Sequence, residues 1–426
     1  MNILIINSNN PLETSGIVSF DFYNGLKTNG HNVRMLVNSY DKNYPEDIVS
    51  LETPFSISKN EIIEKIRRRL PIRKPIAANP DYHYHVLWEK KSFYKTKKLL
   101  RKSNIKPEVI FIMFAKNFIN SKNIYELYQL THAKIFWLMY DMAPFTGGCH
   151  YAWDCTGYKN SCGNCPGLYS SDPFDISYKN FLYKKNYIDK TNIEIISASE
   201  WQYHQAKASS LFRNKTIHKI LLSVDTKIFR FLDKKEVRSK LGIPTDKKVI
   251  FFGSVNMSHH RKGMYYLLEG LKILKEKLSG SDLGKNILLL IAGREIDGII
   301  DSLPFPYHYM GFLDNTTGIA SAFQAADVYL CPSIEDSGPS MINQSLMCGT
   351  PIVSFKMGVS LDLVISGETG YIAGLKDSND MAEGLYNVLS VDDSGYKKLV
   401  SNCRELALKL CTPEVQMEKI GKLIKE

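Results

Sequence analysis

No apolar run in these 426 residues approaches the ~18 that a membrane-spanning helix requires. The chain also lacks a basic leader and a cleavage site. Met1 to Ile6 therefore reads as a first strand rather than a signal peptide, and the expectation is a cytoplasmic protein. A P-loop, a nucleophile elbow and a glycosidase-type carboxylate pair are all missing. There is no Asp-x-Asp pair, which argues against a metal-bridged diphosphate. Nothing resembles a reader of base edges, so nucleic acid is not an expected partner. A cytosolic address disfavours structural disulfides. Cys331, Cys348, Cys403 and Cys411 sit in apolar or helical contexts and read as buried thiols.

The length suits two domains. Short apolar runs recur with helical stretches between them. Examples are Ile3–Ile6, Val33–Val37, Val109–Met113, Ile135–Leu138 and Ile193–Ile196, then Val249–Phe252, Ile287–Ala292, Val328–Cys331 and Pro351–Phe355. Strands alternating with helices imply doubly wound parallel sheets, and two such series imply two Rossmann-like α/β domains. The expected division is 1–218, 219–410 and a final helical stretch 411–426. Ligands of such sheets bind beyond the carboxyl ends of the strands.

The net charge is +10, and its location matters more than its size. Lys59 to Lys106 holds fifteen basic residues against four acids, so the rest of the chain is near neutral. Ile62, Ile66, Trp88, Phe93 and Leu99 are interleaved with those cations. Such a stretch suits the surface of an anionic membrane. A solvated helix face is the alternative.

One segment carries the most chemical information. Val328–Cys331 reads as a strand, followed by an acidic turn, a short helix and a second strand at Pro351–Phe355. Gly338 lets the backbone approach a ligand. Pro339 suits the first helical position and Gly349 the helix end. The amides of Ser340 and Met341 would then face an anion, above all a phosphate. Asp336 and Gln344 flank this turn, with Glu335 and Ser337 beside them.

A second motif runs from Phe252 and Gly253 to Arg261, Lys262 and Gly263. Two cations near the positive end of a helix are costly unless an anion is present. A departing diphosphate would supply one. Gly16 lies in the first strand-to-helix turn and is the weakest of these signals. A third motif follows the strand Ile135–Leu138. It begins at Asp141 and includes His150 and the four cysteines Cys149, Cys155, Cys162 and Cys165. Their C-x5-C-x6-C-x2-C spacing is compatible with a structural zinc site, or with four reduced thiols packed in a loop.

The segment from Asp336 to Pro351 resembles the nucleotide-sugar site of retaining glycosyltransferases of family 4, which have the GT-B fold. Their pattern is an acid, seven residues, a Glu, then Cys-Gly-Thr-Pro. Counted back from Cys348, the acid falls on Asp336 and the Glu on Gln344. The resemblance implies that Asp336 lies by the transferred sugar and residue 344 by the ribose. It implies phosphate binding at Arg261 and Lys262, and a nucleotide base near Gly311 and Phe312. It also implies a final helix that crosses back to the first domain. The insertion carrying Asp141 is similar to one in the subset that builds bacterial surface polysaccharides, where His-Asp stands in place of Tyr140-Asp141. There Asp141 and His150 would lie on the acceptor side. The implied activity is transfer from a UDP- or GDP-sugar to a lipid-linked or oligosaccharide acceptor in capsule or O-antigen assembly, with no cofactor required for catalysis. A non-catalytic sugar-nucleotide binder and a sugar-nucleotide hydrolase or epimerase are the alternatives.

Overall fold

The computed structural model describes residues 1–13, 16–52, 77–84, 88–294 and 298–426. These divide into two compact units. The first comprises Met1–Ala198, Gln202–Ile220 and Met417–Glu426, and the second Ser199–Trp201 and Leu221–Gln416. Much of the basic stretch from Lys59 to Lys106 lies outside the described residues.

The first unit is built on a seven-stranded parallel sheet. Its strands are β1 (Asn2–Asn7), β2 (Asn32–Val37), β3 (Ile48–Ser50), β4 (Val109–Ile112), β5 (Lys134–Met139), β6 (Ile193–Ser197) and β7 (Ile217–Lys219). Their order is β3-β2-β1-β4-β5-β6-β7. Among the described residues, five helices belong to this part of the chain: α1 (Ile17–Thr28), α2 (Thr96–Ser103), α3 (Ser121–Thr131), α4 (Ile176–Ile188) and α5 (Glu200–Ala208). The central strands are continuous Ile, Leu, Val and Phe runs because helices cover both faces. One face of the sheet packs on Ile124, Leu127, Phe181 and Phe212. The other packs on Phe22, Tyr23 and Leu26 of α1 together with Met417, Ile420 and Ile424.

The second unit has a six-stranded parallel sheet. Its strands are β8 (Lys248–Asn256), β9 (Ile287–Arg294), β10 (Tyr307–Tyr309), β11 (Val328–Cys331), β12 (Ile352–Phe355) and β13 (Gly370–Ala373). The helices are α6 (Lys234–Leu241), α7 (Met264–Lys277), α8 (Asp282–Lys285), α9 (Thr316–Ala325), α10 (Ser340–Met347), α11 (Ser360–Leu363), α12 (Ser378–Leu389), α13 (Asp393–Leu410) and α14 (Pro413–Lys425). The last of these begins in the second unit and ends in the first. Strand order is β10-β9-β8-β11-β12-β13. Numbered within the unit this is 3-2-1-4-5-6, the doubly wound order whose direction reverses between its first and fourth strands. That reversal opens a crevice at the carboxyl ends of β8 and β11, and both strands lead straight into the motifs singled out above. Two doubly wound parallel sheets of this kind constitute the GT-B fold.

Among the described residues, no helix is long and apolar enough to cross a membrane. Pro339 proves to be the N-cap of α10 rather than its first residue, with φ −64° and ψ 111°. Gly349 has φ +74° just past the helix, the left-handed geometry expected of a helix stop.

Candidate functional site

The loops after β8 and β11 are locked together. Gly263 has φ +68°, and a Cβ there would stand 1.9 Å from the Pro332 carbonyl oxygen. Only glycine permits this approach. The Ile334 amide donates to the Arg261 carbonyl at 2.9 Å. This contact fixes the turn His260–Lys262 against the segment that follows β11.

The side chains then converge. Arg261 Nη1 lies 2.7 Å and Lys262 Nζ 2.9 Å from Asp336 Oδ2. The Gly338 amide donates to Asp336 Oδ1 at 3.3 Å. All three side chains are largely buried, with Asp336 14% exposed. Burial pushes the Asp336 carboxyl up, but the Lys262 ammonium and the Arg261 guanidinium outweigh it. They hold the carboxyl well below the usual carboxylate range. The two cations therefore have an internal counter-ion in Asp336. The sequence led to the expectation of a diphosphate beside this pair; the structure also places the Asp336 carboxylate there.

Beyond Asp336 the chain is compact. A Cβ on Gly358 would stand 2.8 Å from the Asp336 carbonyl and 3.4 Å from Pro339 Cδ. The loop after β12 therefore closes that side of the turn. Glu335 and Ser337 are buried; Ser340 and Met341 open α10 at intermediate burial. Gln344 lies one turn further along that helix, also at intermediate burial.

On the other side of β8 the carboxyl edge is more open. The Gly293 amide donates to the Gly311 carbonyl at 2.9 Å, and Tyr309 Oη donates to the Gly293 carbonyl at 2.7 Å. Gly311 has φ +73°, and a Cβ there would meet nothing within 4 Å. Arg294 Cζ lies 3.9 Å from the centroid of the Phe312 ring. The sequence singled out Gly311 and Phe312 as candidates and gave Arg294 only as the end of a strand. Gly253 lies inside β8, where a Cβ would stand 2.6 Å from the Ala292 carbonyl. Close packing against β9 accounts for that glycine.

In the first unit, Gly16 is the N-cap of α1. A Cβ there would stand 1.7 Å from the Asn10 carbonyl, so the turn after β1 requires glycine for compactness. Asp141 follows β5. Its Oδ2 lies 2.9 Å from His150 Nδ1, and its Oδ1 accepts from the Ala143 amide at 2.8 Å. Burial raises the Asp141 carboxyl, but the His150 ring and these hydrogen bonds hold it below its ordinary range. The Met142 amide donates to the His150 carbonyl at 3.1 Å, and the His150 amide donates to Tyr82 O at 3.1 Å. Next to Asp141, Tyr140 stacks on Phe114 with ring centroids 4.5 Å apart.

The four cysteines of this insertion are free thiols that line one small cavity together with Tyr82, Tyr84 and Tyr158. Among the described residues, no group of three or more His, Cys, Asp or Glu side chains is placed to hold a metal ion. The structural zinc expected from their spacing is therefore not supported. Burial raises the Cys149 and Cys165 thiols and pushes the Cys162 thiol up to about 12.

Residues 233–406 match the family described as "Glycosyl transferases group 1". An uncharacterized glycosyltransferase of Methanocaldococcus jannaschii is 23% identical over 258 residues. That alignment covers 58% of this chain and 61% of the relative, less than two thirds of it. Among solved structures, the sucrose-phosphate synthase of Thermosynechococcus elongatus superposes with a TM-score of 0.69 at 16% identity. The superposition covers 100% of this chain and 98% of that one. HepE of Anabaena, solved with UDP-glucose, gives 0.62 at 12% identity, covering 100% and 99% of the two chains. These structural likenesses are to the fold.

Proposed function

We propose that this chain is a glycosyltransferase that moves a sugar from a UDP- or GDP-sugar to a saccharide acceptor. The observation that carries this reading is the Arg261–Lys262 pair meeting the Asp336 turn at the reversal point of the second sheet. Two cations beside a helix start make a seat for a diphosphate. As the bond between the anomeric carbon and the phosphate oxygen breaks, negative charge grows on the departing diphosphate. Fixed cations in a water-poor site stabilise that charge without reorganising. In this account Asp336 lies by the transferred sugar, and Gln344 meets the ribose with an amide. The donor of the HepE structure, UDP-glucose, is the same class of molecule.

The first unit holds the acceptor, with Asp141 and His150 at the carboxyl end of β5 orienting its hydroxyl. The anomeric configuration is retained, as in the family the motifs resemble. The acceptor is lipid-linked and the product feeds bacterial surface polysaccharide. The enzyme works at the cytoplasmic membrane surface. Support for that last point is the basic stretch and its exposed aromatics, Trp88 at 59% and Phe93 at 43% exposure, the latter beneath Lys91.

A thermal-shift screen against UDP-, GDP- and other nucleotide sugars tests the reading. At least one donor is expected to raise Tm, and Lys262→Ala to abolish the rise. No stabilisation by any donor would remove the reading. Stabilisation without turnover in the presence of acceptor extract would instead mark a sugar-nucleotide binder.

A further inference from the structure

We propose that docking of segment 88–97 on an anionic membrane surface is transmitted through Asn180 to the turn that carries Asp141, so that the membrane itself orders the acceptor side of the site. This rests on the membrane-surface and acceptor-side readings above and adds the link between them.

The segment sorts its side chains by charge. Trp88, Lys90, Lys91, Phe93, Lys95 and Lys97 are exposed, while Glu89, its one acid, is only 6% exposed. Lysines with two aromatic rings and no outward carboxylate complement a surface of anionic headgroups. A neutral surface would gain nothing from those lysines.

Glu89 fastens the segment to the interior of the first unit. Its amide donates to Asn180 Oδ1 at 3.0 Å, and its carbonyl accepts from Asn120 Nδ2 at 3.0 Å. Its Oε1 accepts from the Ser121 amide at 2.9 Å. Asn180 is buried on α4 and bonds in the other direction as well, its Nδ2 donating to the Gly147 carbonyl at 3.1 Å. One side chain thus joins the backbone of the exposed segment to the turn after β5. One helical turn further on, Lys184 lies on the same face and repeats the link. Its Nζ donates to the Ala143 and Thr146 carbonyls at 2.5 and 3.0 Å and lies 4.0 Å from Glu89 Oε2. Gly147 is pressed onto α4, where a Cβ would stand 2.4 Å from the Ser177 carbonyl. This turn also sets Asp141, whose Oδ1 accepts from the Ala143 amide while Oδ2 meets His150.

These groups are buried, so breaking the link would leave a donor and an acceptor without water. The segment and the turn therefore move together. Fixing the segment on a bilayer removes part of the turn's freedom in advance, and an acceptor that then binds at Asp141 has less left to order. By reciprocity, a bound acceptor strengthens membrane attachment.

Hydrogen-exchange mass spectrometry of the full chain tests this, using phosphatidylcholine vesicles with and without phosphatidylglycerol. Vesicles that contain phosphatidylglycerol should pellet the chain and slow exchange in residues 141–150 by roughly tenfold. Phosphatidylcholine alone should do neither. Lys90→Gln combined with Lys91→Gln should lose both effects, with exchange in vesicle-free buffer unchanged. Asn180→Asp keeps the acceptor for the Glu89 amide but loses the donor to Gly147. It should still pellet, with the slowing at 141–150 cut below about threefold. Pelleting of the wild type without slower exchange at 141–150 overturns the proposal and leaves the membrane-surface reading standing. Full slowing that survives in Asn180→Asp overturns it in the same way. If vesicles with phosphatidylglycerol do not pellet the chain, the membrane-surface reading falls first and this inference falls with it.

Discussion

Replacing Asp336 by Asn should move stability and nucleotide affinity in opposite directions. The carboxylate accepts from Arg261 at 2.7 Å and from Lys262 at 2.9 Å, and the side chains are 14–20% exposed. Each charge-assisted contact is worth roughly 1.5–3 kcal/mol net. Removing one member of a buried ionic cluster costs on the order of 3–5 kcal/mol, because the remaining charges lose their partner. Asn keeps the shape, so the loss should fall near the lower figure. The same change removes the carboxylate that both cations contact. A diphosphate no longer shares them with a carboxylate, and UDP or GDP should bind about tenfold tighter, the equivalent of ~1.4 kcal/mol. The difference in stability should also depend on pH in one direction. The folded Asp336 carboxyl lies below its unfolded value, so its contribution is complete above that unfolded value, roughly pH 3.9. It is lost as pH falls through the folded value. Urea unfolding of wild type and Asp336→Asn from pH 7 to pH 2.5 should show a constant gap that narrows only in acid. Calorimetry at pH 7 supplies the affinities. A folded Asp336→Asn that binds both nucleotides no better than the wild type would refute the idea that diphosphate and carboxylate compete for one pair of cations.

Three further outcomes follow from the same geometry. Gly263→Ala forces a Cβ into the Pro332 carbonyl and places a side chain at φ +68°. The left-handed conformation alone costs about 1–2 kcal/mol, and nucleotide affinity should drop at least tenfold as the two loops separate. Gln344→Glu should tighten nucleotide binding by about tenfold, since a charge-assisted hydrogen bond to a ribose is roughly twice as strong as a neutral one. A change below twofold would show that residue 344 does not touch the ribose. Asp327→Asn strikes a different place. Asp327 holds Arg238 at 2.7 Å and Lys234 at 3.3 Å and accepts from the Val249 amide, all at the amino end of the sheet. It should cost about 3–5 kcal/mol in unfolding free energy and leave nucleotide affinity within twofold.

How much of this was legible in the chain depends on range. The central strands were readable because both faces are buried, so Ile3–Ile6 or Ile287–Ala292 appear as unbroken apolar runs. Ile48–Ser50, Ile217–Lys219 and Gly370–Ala373 were not. They are three or four residues long, lie at or next to sheet edges, and are strands only by virtue of their neighbours. The two cations and the glycine turn could be read locally. That Asp336 is their partner could not, because 75 residues separate it from Arg261 and only the β8–β11 pairing brings them together. Arg294 over Phe312 has the same origin, in the β9–β10 pairing. The cysteine insertion left two readings open in the sequence, a zinc site and packed thiols. Spacing alone does not choose between them; in the fold all four line one small cavity among tyrosines, and among the described residues no group of three or more metal-ligating side chains is placed to hold an ion.

The central claim is that Arg261 and Lys262 seat a nucleoside diphosphate against the Asp336 turn. Calorimetric titration of UDP and GDP into wild type and Lys262→Ala tests it most directly. At least one nucleotide should bind the wild type saturably, and loss of a charge-assisted contact of roughly 1.5–3 kcal/mol should weaken it ten- to a hundredfold in the variant. Failure of both nucleotides to bind, or equal affinity for a folded Lys262→Ala, would contradict it.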